Sequence, residues 1–383
     1  MSTKKIRIVC TGGGSGGHVY PMLAVIDELH KILSTDEFAG SRTAIYYAGS
    51  PGEYAQEFAR RGVIIKHIAS FKLRRYASAQ NILDVVRAPL AFLQALWHLF
   101  WLMPDVVFSK GGSGSLPVVC AAFFFRIPIF IHESDSVPGL SNRIAFPLAA
   151  RIGLSFEKTL SFVSGTKVAV VGNPVRAMLI ENAGGLHSPK ARTIFGFDPE
   201  TPLILILGGS QGSARINDFV IDNAHILVRS AQVLHQTGPF NFQNAKSELA
   251  VVTKDFVPAE RNRYKIVDYL RDEIVEAFVA ADLIISRAGS GAIFEIAAFG
   301  KASILIPLKE AAQNHQFYNA YEYTHTGACV VIEEENLKPG LFMQEVKRIL
   351  ENQDMKKSME DAARQFAKPQ AAYTIAREIA RLV

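Results

Sequence analysis

Four times in this sequence an apolar run stops at a cluster of small residues, and an apolar-periodic stretch follows. The clusters are Gly12-Gly13-Gly14-Ser15-Gly16-Gly17-His18, Lys110-Gly111-Gly112-Ser113-Gly114, Gly208-Gly209-Ser210-Gln211-Gly212 and Ser286-Arg287-Ala288-Gly289-Ser290-Gly291. Short apolar runs bounded by turn residues read as buried parallel strands, and the periodic stretches as helices. Strands are expected over 6–10, 43–48, 105–109, 128–132 and 167–171, then over 202–207, 233–236, 264–267, 283–285 and 303–307, with helices over 21–33 and 292–299 among those between them. Two such series predict an α/β chain of two doubly wound parallel-sheet, Rossmann-like domains, and 383 residues is ample for both. The expected seam is Gly172-Asn173-Pro174-Val175-Arg176. Ligands of such sheets bind beyond the carboxyl ends of the strands, so the cleft between the halves is the expected site.

The fourth cluster carries the clearest chemistry. Its small residues let the backbone approach a ligand closely, and the first N–H groups of the following helix favour an anion such as a diphosphate. Glu295, about one turn into that helix, is poorly placed for phosphate and well placed to accept two ribose hydroxyls. Phosphate at the helix tip with ribose on a nearby acid describes a nucleotide site.

In the first cluster Gly12, Gly14 and Gly17 satisfy the G-x-G-x-x-G fingerprint of dinucleotide sites. That fingerprint expects an acid at the end of the second strand. Here the end reads Tyr47-Ala48-Gly49-Ser50, with Glu53 later and past a proline, which weighs against a nicotinamide or flavin cofactor. His18 sits where the turn becomes a helix. A histidine there can take a proton from an attacking hydroxyl near neutral pH; the alternative is a helix-capping or backbone-bonded imidazole. After the strand at 128–132, Glu133 and Asp135 are spaced to hold a divalent metal or act as a base, against a purely structural hydrogen-bonding role for Glu133.

Charge is uneven along the chain. Residues 1–170 hold 18 Lys/Arg and 11 Asp/Glu, net +7, which leaves 41 − 18 = 23 and 36 − 11 = 25 for the rest, net −2. A basic first half suits an anionic partner: a phosphate-bearing substrate, an acidic membrane or nucleic acid. Lys72, Arg74 and Arg75 precede the run 89–103, which holds both tryptophans. That run is too short and too interrupted by Gln94 and His98 to span a bilayer, and reads as a helix that serves the core on one side and an anionic membrane surface on the other. Cys10, Cys120 and Cys329 show no metal spacing and suit a reducing compartment. The start of the chain has no apolar signal core, so a cytosolic location is expected.

Five motifs then fall in order: Gly-Gly-x-Ser-Gly-Gly-His, His-Glu-x-x-x-x-Pro-Gly, Gly-Asn-Pro-Val-Arg, Gly-Gly-Ser-Gln-Gly and Ser-Arg-Ala-Gly-x-x-x-x-x-Glu. With them the chain resembles, over nearly its whole length, the MurG family of peptidoglycan N-acetylglucosaminyltransferases, family 28 enzymes of glycosyltransferase B architecture. The resemblance implies an acceptor- and membrane-binding domain over 1–176, a UDP-sugar domain over 177–366, and a final helix, within about 367–383, packing back on the first. It implies UDP-N-acetylglucosamine as donor, lipid I as acceptor, no required cofactor or metal, no nucleic acid, and a peripheral place at the cytoplasmic face of the bacterial inner membrane, with other cell-wall synthesis enzymes as candidate partners. Carried over residue by residue, donor contacts fall on Ser15, Gly16 and Gly17, a diphosphate partner on Arg176, a phosphate serine on Ser210 and a backbone contact to uracil near Leu270. The helix contacts fall on Ser290, Gly291, Ala292, Ile293, Phe294 and Glu295, with Glu295 on ribose, and the sugar-binding glutamine on Gln316.

There is one departure. The family usually reads His-Glu-Gln-Asn where this chain reads His132-Glu133-Ser134-Asp135. An asparagine donates to a sugar; an ionised Asp135 only accepts. That leaves Asp135 as a sugar contact, a second candidate for the base after His18, or the partner of a nearby cation. A UDP-N-acetylglucosamine 2-epimerase, a nicotinamide oxidoreductase and a membrane-docked sugar-nucleotide binding subunit are the competing readings.

Overall fold

The computed structural model describes residues 4–38, 40–69, 80–165, 167–176, 179, 188–209, 211–271, 273–309, 311 and 314–383, with the backbone alone for 80–86. Ser210 and the Lys72, Arg74 and Arg75 cluster therefore lie outside the described residues.

The chain divides into two compact units, residues 1–176 with 368–383 and residues 177–367. The first is built on a seven-stranded parallel sheet: β1 (Lys5–Thr11), β2 (Arg42–Gly49), β3 (Ile64–His67), β4 (Val106–Ser109), β5 (Ile129–Glu133), β6 (Arg151–Leu154) and β7 (Val168–Val170), in the order β3-β2-β1-β4-β5-β6-β7. The second has six parallel strands: β8 (Leu203–Leu207), β9 (Gln232–Gln236), β10 (Tyr264–Val267), β11 (Leu283–Ser286), β12 (Ser303–Leu305) and β13 (Cys329–Val331), in the order β10-β9-β8-β11-β12-β13. In both sheets the order reverses beside the first strand, and such switch points are where loops diverge and leave room for a ligand.

The central strands are continuous apolar runs because helices cover both faces; β8 is Leu-Ile-Leu-Ile-Leu and buried throughout. Three strands escape the sequence pattern. β3 is an edge strand whose residues are half-buried or exposed, β6 is a four-residue Arg-Ile-Gly-Leu strand, and β13 is three residues at the other sheet's edge. The first helix starts earlier than the apolar period suggests, at Gly16, and carries Pro21 inside it.

The helix Ala371–Ala380 belongs to the first unit. Its Ile375, Ala376 and Ile379 are fully buried in the same core as Ile6, Val19, Met22 and Ile26. The helix Gln80–Leu102 buries Ala91, Ala95 and Leu99, a stripe at helical spacing. Leu90, Leu93, Trp97, Phe100 and Trp101 of the same helix are exposed. No helix of the described residues is long and apolar enough to cross a membrane.

Candidate functional site

In the first unit, β1 delivers the chain to the turn at Gly12, and the helix Gly16–Leu33 leaves from it. Ser15 and Gly17 are exposed and His18 is half-buried, in the first turn of that helix. The ring of His18 lies over the turn: a Cβ on Gly13 would sit 3.2 Å from its Cδ2. His18 Nδ1 is 3.2 Å from the Lys110 carbonyl. A carbonyl only accepts, so Nδ1 carries the proton and Nε2 the lone pair. That is the tautomer a general base needs, held by the main chain.

Lys110 follows β4 and is buried. Its Nζ meets His132 Nδ1 at 2.6 Å, Asn173 Oδ1 at 3.1 Å, and Ser134 Oγ. His132 donates from Nε2 to the Gly172 carbonyl at 2.9 Å. Glu133 is also buried. Its Oε1 accepts from the Asp135 amide at 2.9 Å, and its Oε2 accepts from Gly139 N at 3.2 Å and Asn142 Nδ2 at 2.9 Å. These bonds make Glu133 the brace of the loop that carries Asp135, the structural alternative to a metal ligand. Burial, and then the Asp135 charge, push the Glu133 carboxyl above the usual carboxylate range. Burial lowers Lys110 to about 7, and the Glu133 and Asp135 charges oppose that fall only in part. His132 is held well below the ordinary histidine range by burial and then by Lys110.

Arg176 is half-buried, its guanidinium 5.2 Å from the centre of the Tyr20 ring on the Gly16–Leu33 helix. Ser15, Gly16, Gly17, His18, Asp135 and Arg176 all lie in the first unit. Leu270, Ser290 to Glu295, and Gln316 lie in the second unit.

There, the helix Ser290–Ala298 starts behind Gly289, which has extended φ/ψ and no capping side chain. The leading N–H groups of such a helix lack helical acceptors and face outward. Ser290 is buried and Glu295, its sixth residue, is half-buried. Arg287, just before this helix, is a clasp: it donates to the Ile306 carbonyl at 3.2 Å and Ser213 Oγ at 2.6 Å, and pairs with Glu334 at 2.5 Å. It ties the ends of β11 and β12 to the 208–212 turn. Gln316, in the helix His315–Thr324, accepts from Leu308 N at 3.0 Å through Oε1, so its amide nitrogen is the end to offer a sugar. Asn319 of the same helix donates to the Ala288 carbonyl at 3.4 Å.

Sequence reasoning missed Gln236. At the end of β9, its Oε1 accepts from Leu270 N at 2.9 Å and its Nε2 donates to Gly209 O at 3.4 Å. Because Leu270 spends its amide there, a main-chain contact to a base would come from its carbonyl. No local pattern marks Gln236; it is found only once β8, β9 and β10 stand side by side.

Parallel sheets with glycine turns at their carboxyl ends, in two units of one chain, are the glycosyltransferase B architecture. Residues 8–154 match the glycosyltransferase family 28 N-terminal domain and residues 203–375 its C-terminal domain. A Shouchella clausii protein named UDP-N-acetylglucosamine–N-acetylmuramyl-(pentapeptide) pyrophosphoryl-undecaprenol N-acetylglucosamine transferase is 36% identical over 345 residues, 90% of each chain. The crystal structure of Acinetobacter baumannii MurG superposes with a TM-score of 0.73 at 23% identity, over 98% of this chain and 99% of that one. A Neisseria meningitidis UDP-GlcNAc 2-epimerase bound to UDP-GlcNAc superposes at 0.68 with 14% identity, over 98% and 100%. The fold alone is common to transferase and epimerase; the family domains and the 36% relative separate them. The chain belongs to glycosyltransferase family 28, among its MurG-type members.

Proposed function

We propose that this protein transfers N-acetylglucosamine from UDP-N-acetylglucosamine, with inversion, to the C4 hydroxyl of lipid-linked N-acetylmuramyl-pentapeptide, converting lipid I to lipid II in peptidoglycan synthesis. The reading rests above all on the relative of that name, which matches 90% of this chain. The first unit, residues 1–176 with 368–383, takes the acceptor, and the second, 177–367, takes the donor.

An alcohol is a weak nucleophile, so a base removes its proton as the new bond forms. His18 Nε2 takes that proton as the oxygen attacks the anomeric carbon. The bond from that carbon to the diphosphate oxygen breaks, and UDP leaves with the electron pair. Arg176 and the helix N-terminus at Ser290, Gly291 and Ala292 stabilise the charge that develops, Ser210 meets phosphate, Glu295 holds the ribose, Leu270 meets uracil and Gln316 the sugar. Ser15, Gly16 and Gly17 give the donor close access to the backbone. Ile293 and Phe294 are fully or almost fully buried and support this helix from behind.

The test is UDP release by the purified chain given UDP-N-acetylglucosamine, with and without a lipid I analogue. Release should depend on the acceptor. Acceptor-independent release with conversion to N-acetylmannosamine would mean an epimerase, and donor binding without turnover a binding subunit.

Working on a lipid substrate puts the protein at the cytoplasmic face of the inner membrane, as a peripheral protein. An aromatic surface supports this. Trp97 and Trp101 rings lie 5.7 Å apart, Phe100 and Trp101 5.5 Å, Phe100 and Phe125 6.3 Å, and Phe124 and Phe125 5.2 Å. Trp97, Phe100, Trp101, Phe123 and Phe124 are all exposed, beside a cavity of about 710 Å³ lined by Phe92, Cys120 and Arg126 among others. Contiguous exposed apolar surface of this kind marks a membrane or partner site. Replacing both Trp97 and Trp101 by Glu should lower binding to phosphatidylglycerol-containing vesicles at least about tenfold, since each indole contributes roughly 2 kcal/mol when buried. Unchanged co-sedimentation with vesicles would move the membrane contact elsewhere.

A further inference from the structure

We infer that Gln236 is a specificity-determining positioning residue of the donor site: it occupies the Leu270 amide, leaves only the Leu270 carbonyl for the nucleotide base, and so selects uracil against cytosine. The inference rests on the transfer reading for Leu270 as the base contact, and on geometry for Gln236.

The ends of β9 and β10 are joined bond by bond. Thr237 N donates to Val267 O at 3.0 Å, and Gly238 N to Asp268 O at 3.0 Å. The Thr237 hydroxyl adds a bond to Val267 O at 3.2 Å, and Asn217 Nδ2 holds Thr237 O from the other side at 2.9 Å. The Gln236 side chain carries this ladder on to Leu270, whose N–H it takes on Oε1 at 2.9 Å. Its other end, Nε2, donates to Gly209 O at 3.4 Å. A backbone N–H only donates and a carbonyl only accepts, so both ends of the amide are assigned and it cannot flip. Gln236 is 4% exposed and Leu270 3%, so neither side chain is open to a ligand. What Leu270 has to offer is its peptide group.

The state of that peptide decides which base fits. An open N–H and C=O pair suits either pyrimidine. With uracil, the N–H meets O4 and the C=O accepts from N3–H. With cytosine, the N–H meets N3 and the C=O accepts from the N4 amino group. Gln236 removes the N–H from this choice. The carbonyl then accepts from uracil N3–H, but in the same pose it faces the lone pair of cytosine N3. Two acceptors set against each other are how a site rejects a near neighbour of its ligand. Among the described residues no donor meets the Leu270 carbonyl. The same amide reaches Gly209, the residue before Ser210, so one buried side chain sets the loops that take the base and the phosphate.

The test is binding of UDP and of CDP to the full chain by calorimetry, with thermal unfolding measured alongside, for wild type, Gln236→Met, Gln236→Asn and Gln236→Glu. Wild type should prefer UDP by at least about a hundredfold. Gln236→Met frees the Leu270 N–H and should narrow that preference by at least about tenfold, chiefly by weakening UDP. Gln236→Asn is one methylene too short to reach Leu270, stays polar, and is read in the same way should the Met variant not fold. Gln236→Glu still accepts from Leu270 but opposes the Gly209 carbonyl. It should weaken both nucleotides and keep the preference within about threefold of wild type. A structural brace alone would lower both affinities by one factor in every variant, and that result would overturn the inference, as would a wild type that binds CDP as well as UDP. Should the wild type release no UDP with a lipid I analogue, the transfer reading fails, and the comparison of UDP with CDP, which needs no acceptor, still decides the role of Gln236.

Discussion

His18→Ala should retain donor binding and lose most acceptor-dependent UDP release: kcat is expected to fall by about 10²–10⁴, the usual contribution of a positioned general base. The KM for UDP-N-acetylglucosamine should move by no more than about twofold, because the donor contacts lie largely on other residues. The expectation follows from how the ring is held. Nδ1 donates to the Lys110 carbonyl at 3.2 Å, which leaves Nε2 with the lone pair. Gly112 has a φ of +89°, and a Cβ there would come 3.0 Å from Gly13 N, so the two glycine turns close on each other beneath the imidazole. His18 lies in the helix's first turn and is only half-buried, so truncation leaves the core intact. Release at near wild-type rate in His18→Ala, measured as acceptor-dependent UDP formation, would leave the transferase standing and require another base.

Gly212→Ala should be the most damaging single change on the donor side. Gly212 has a φ of +80°, and a Cβ there would stand 2.1 Å from the Thr237 carbonyl oxygen. Gly238 is reciprocal, with a φ of +85° and a notional Cβ 2.5 Å from the Gln211 carbonyl. The 208–212 turn and the end of β9 therefore nest backbone to backbone, and no side chain can move aside to relieve the clash. Left-handed backbone costs about 1–2 kcal/mol for a residue with a Cβ, and overpacking about 1–3 kcal/mol more, so roughly 2–5 kcal/mol in all. The turn must shift, and with it the contact between Gln236 and Gly209. We expect a Tm lower by several degrees and a KM for UDP-N-acetylglucosamine raised at least about tenfold. Gly340→Ala serves as the control: a Cβ there meets nothing within 4 Å, and it should leave both values alone. A Gly212→Ala protein with wild-type Tm and KM would show that this turn does not set the donor site.

Much of the architecture could be read from the chain because parallel strands buried on both faces announce themselves as unbroken apolar runs. β1, β4, β8 and β11 each end at glycines, so the loops that matter were visible too. The misses have physical causes. β3 and β13 are edge strands with partly exposed side chains, and β6 is interrupted by Gly153, so none carries the apolar run that marks a central strand. Lys110 lies inside a turn that sequence reasoning singled out, yet its role was invisible. A lysine after a strand reads as solvated until the sheet order sets β4 against β5 and brings His132 and Ser134 onto its nitrogen. Gln236 was hidden in the same way, since its two partners lie 27 and 34 residues away.

The return of the helix Ala371–Ala380 to the first unit has a consequence for the order of events on the ribosome. Ile375, Ala376 and Ile379 close a core whose other members were made more than two hundred residues earlier. At a synthesis rate of roughly 5–20 residues per second, the intervening 177–367 segment takes about 10–40 seconds to emerge. Throughout that interval the Gly16–Leu33 helix presents an apolar face with nothing of its own to cover it, while the second unit gains all its strands, β8 to β13. The N-terminal unit is thus begun first and completed last, and the nascent chain must keep that face from other partners until translation has almost ended.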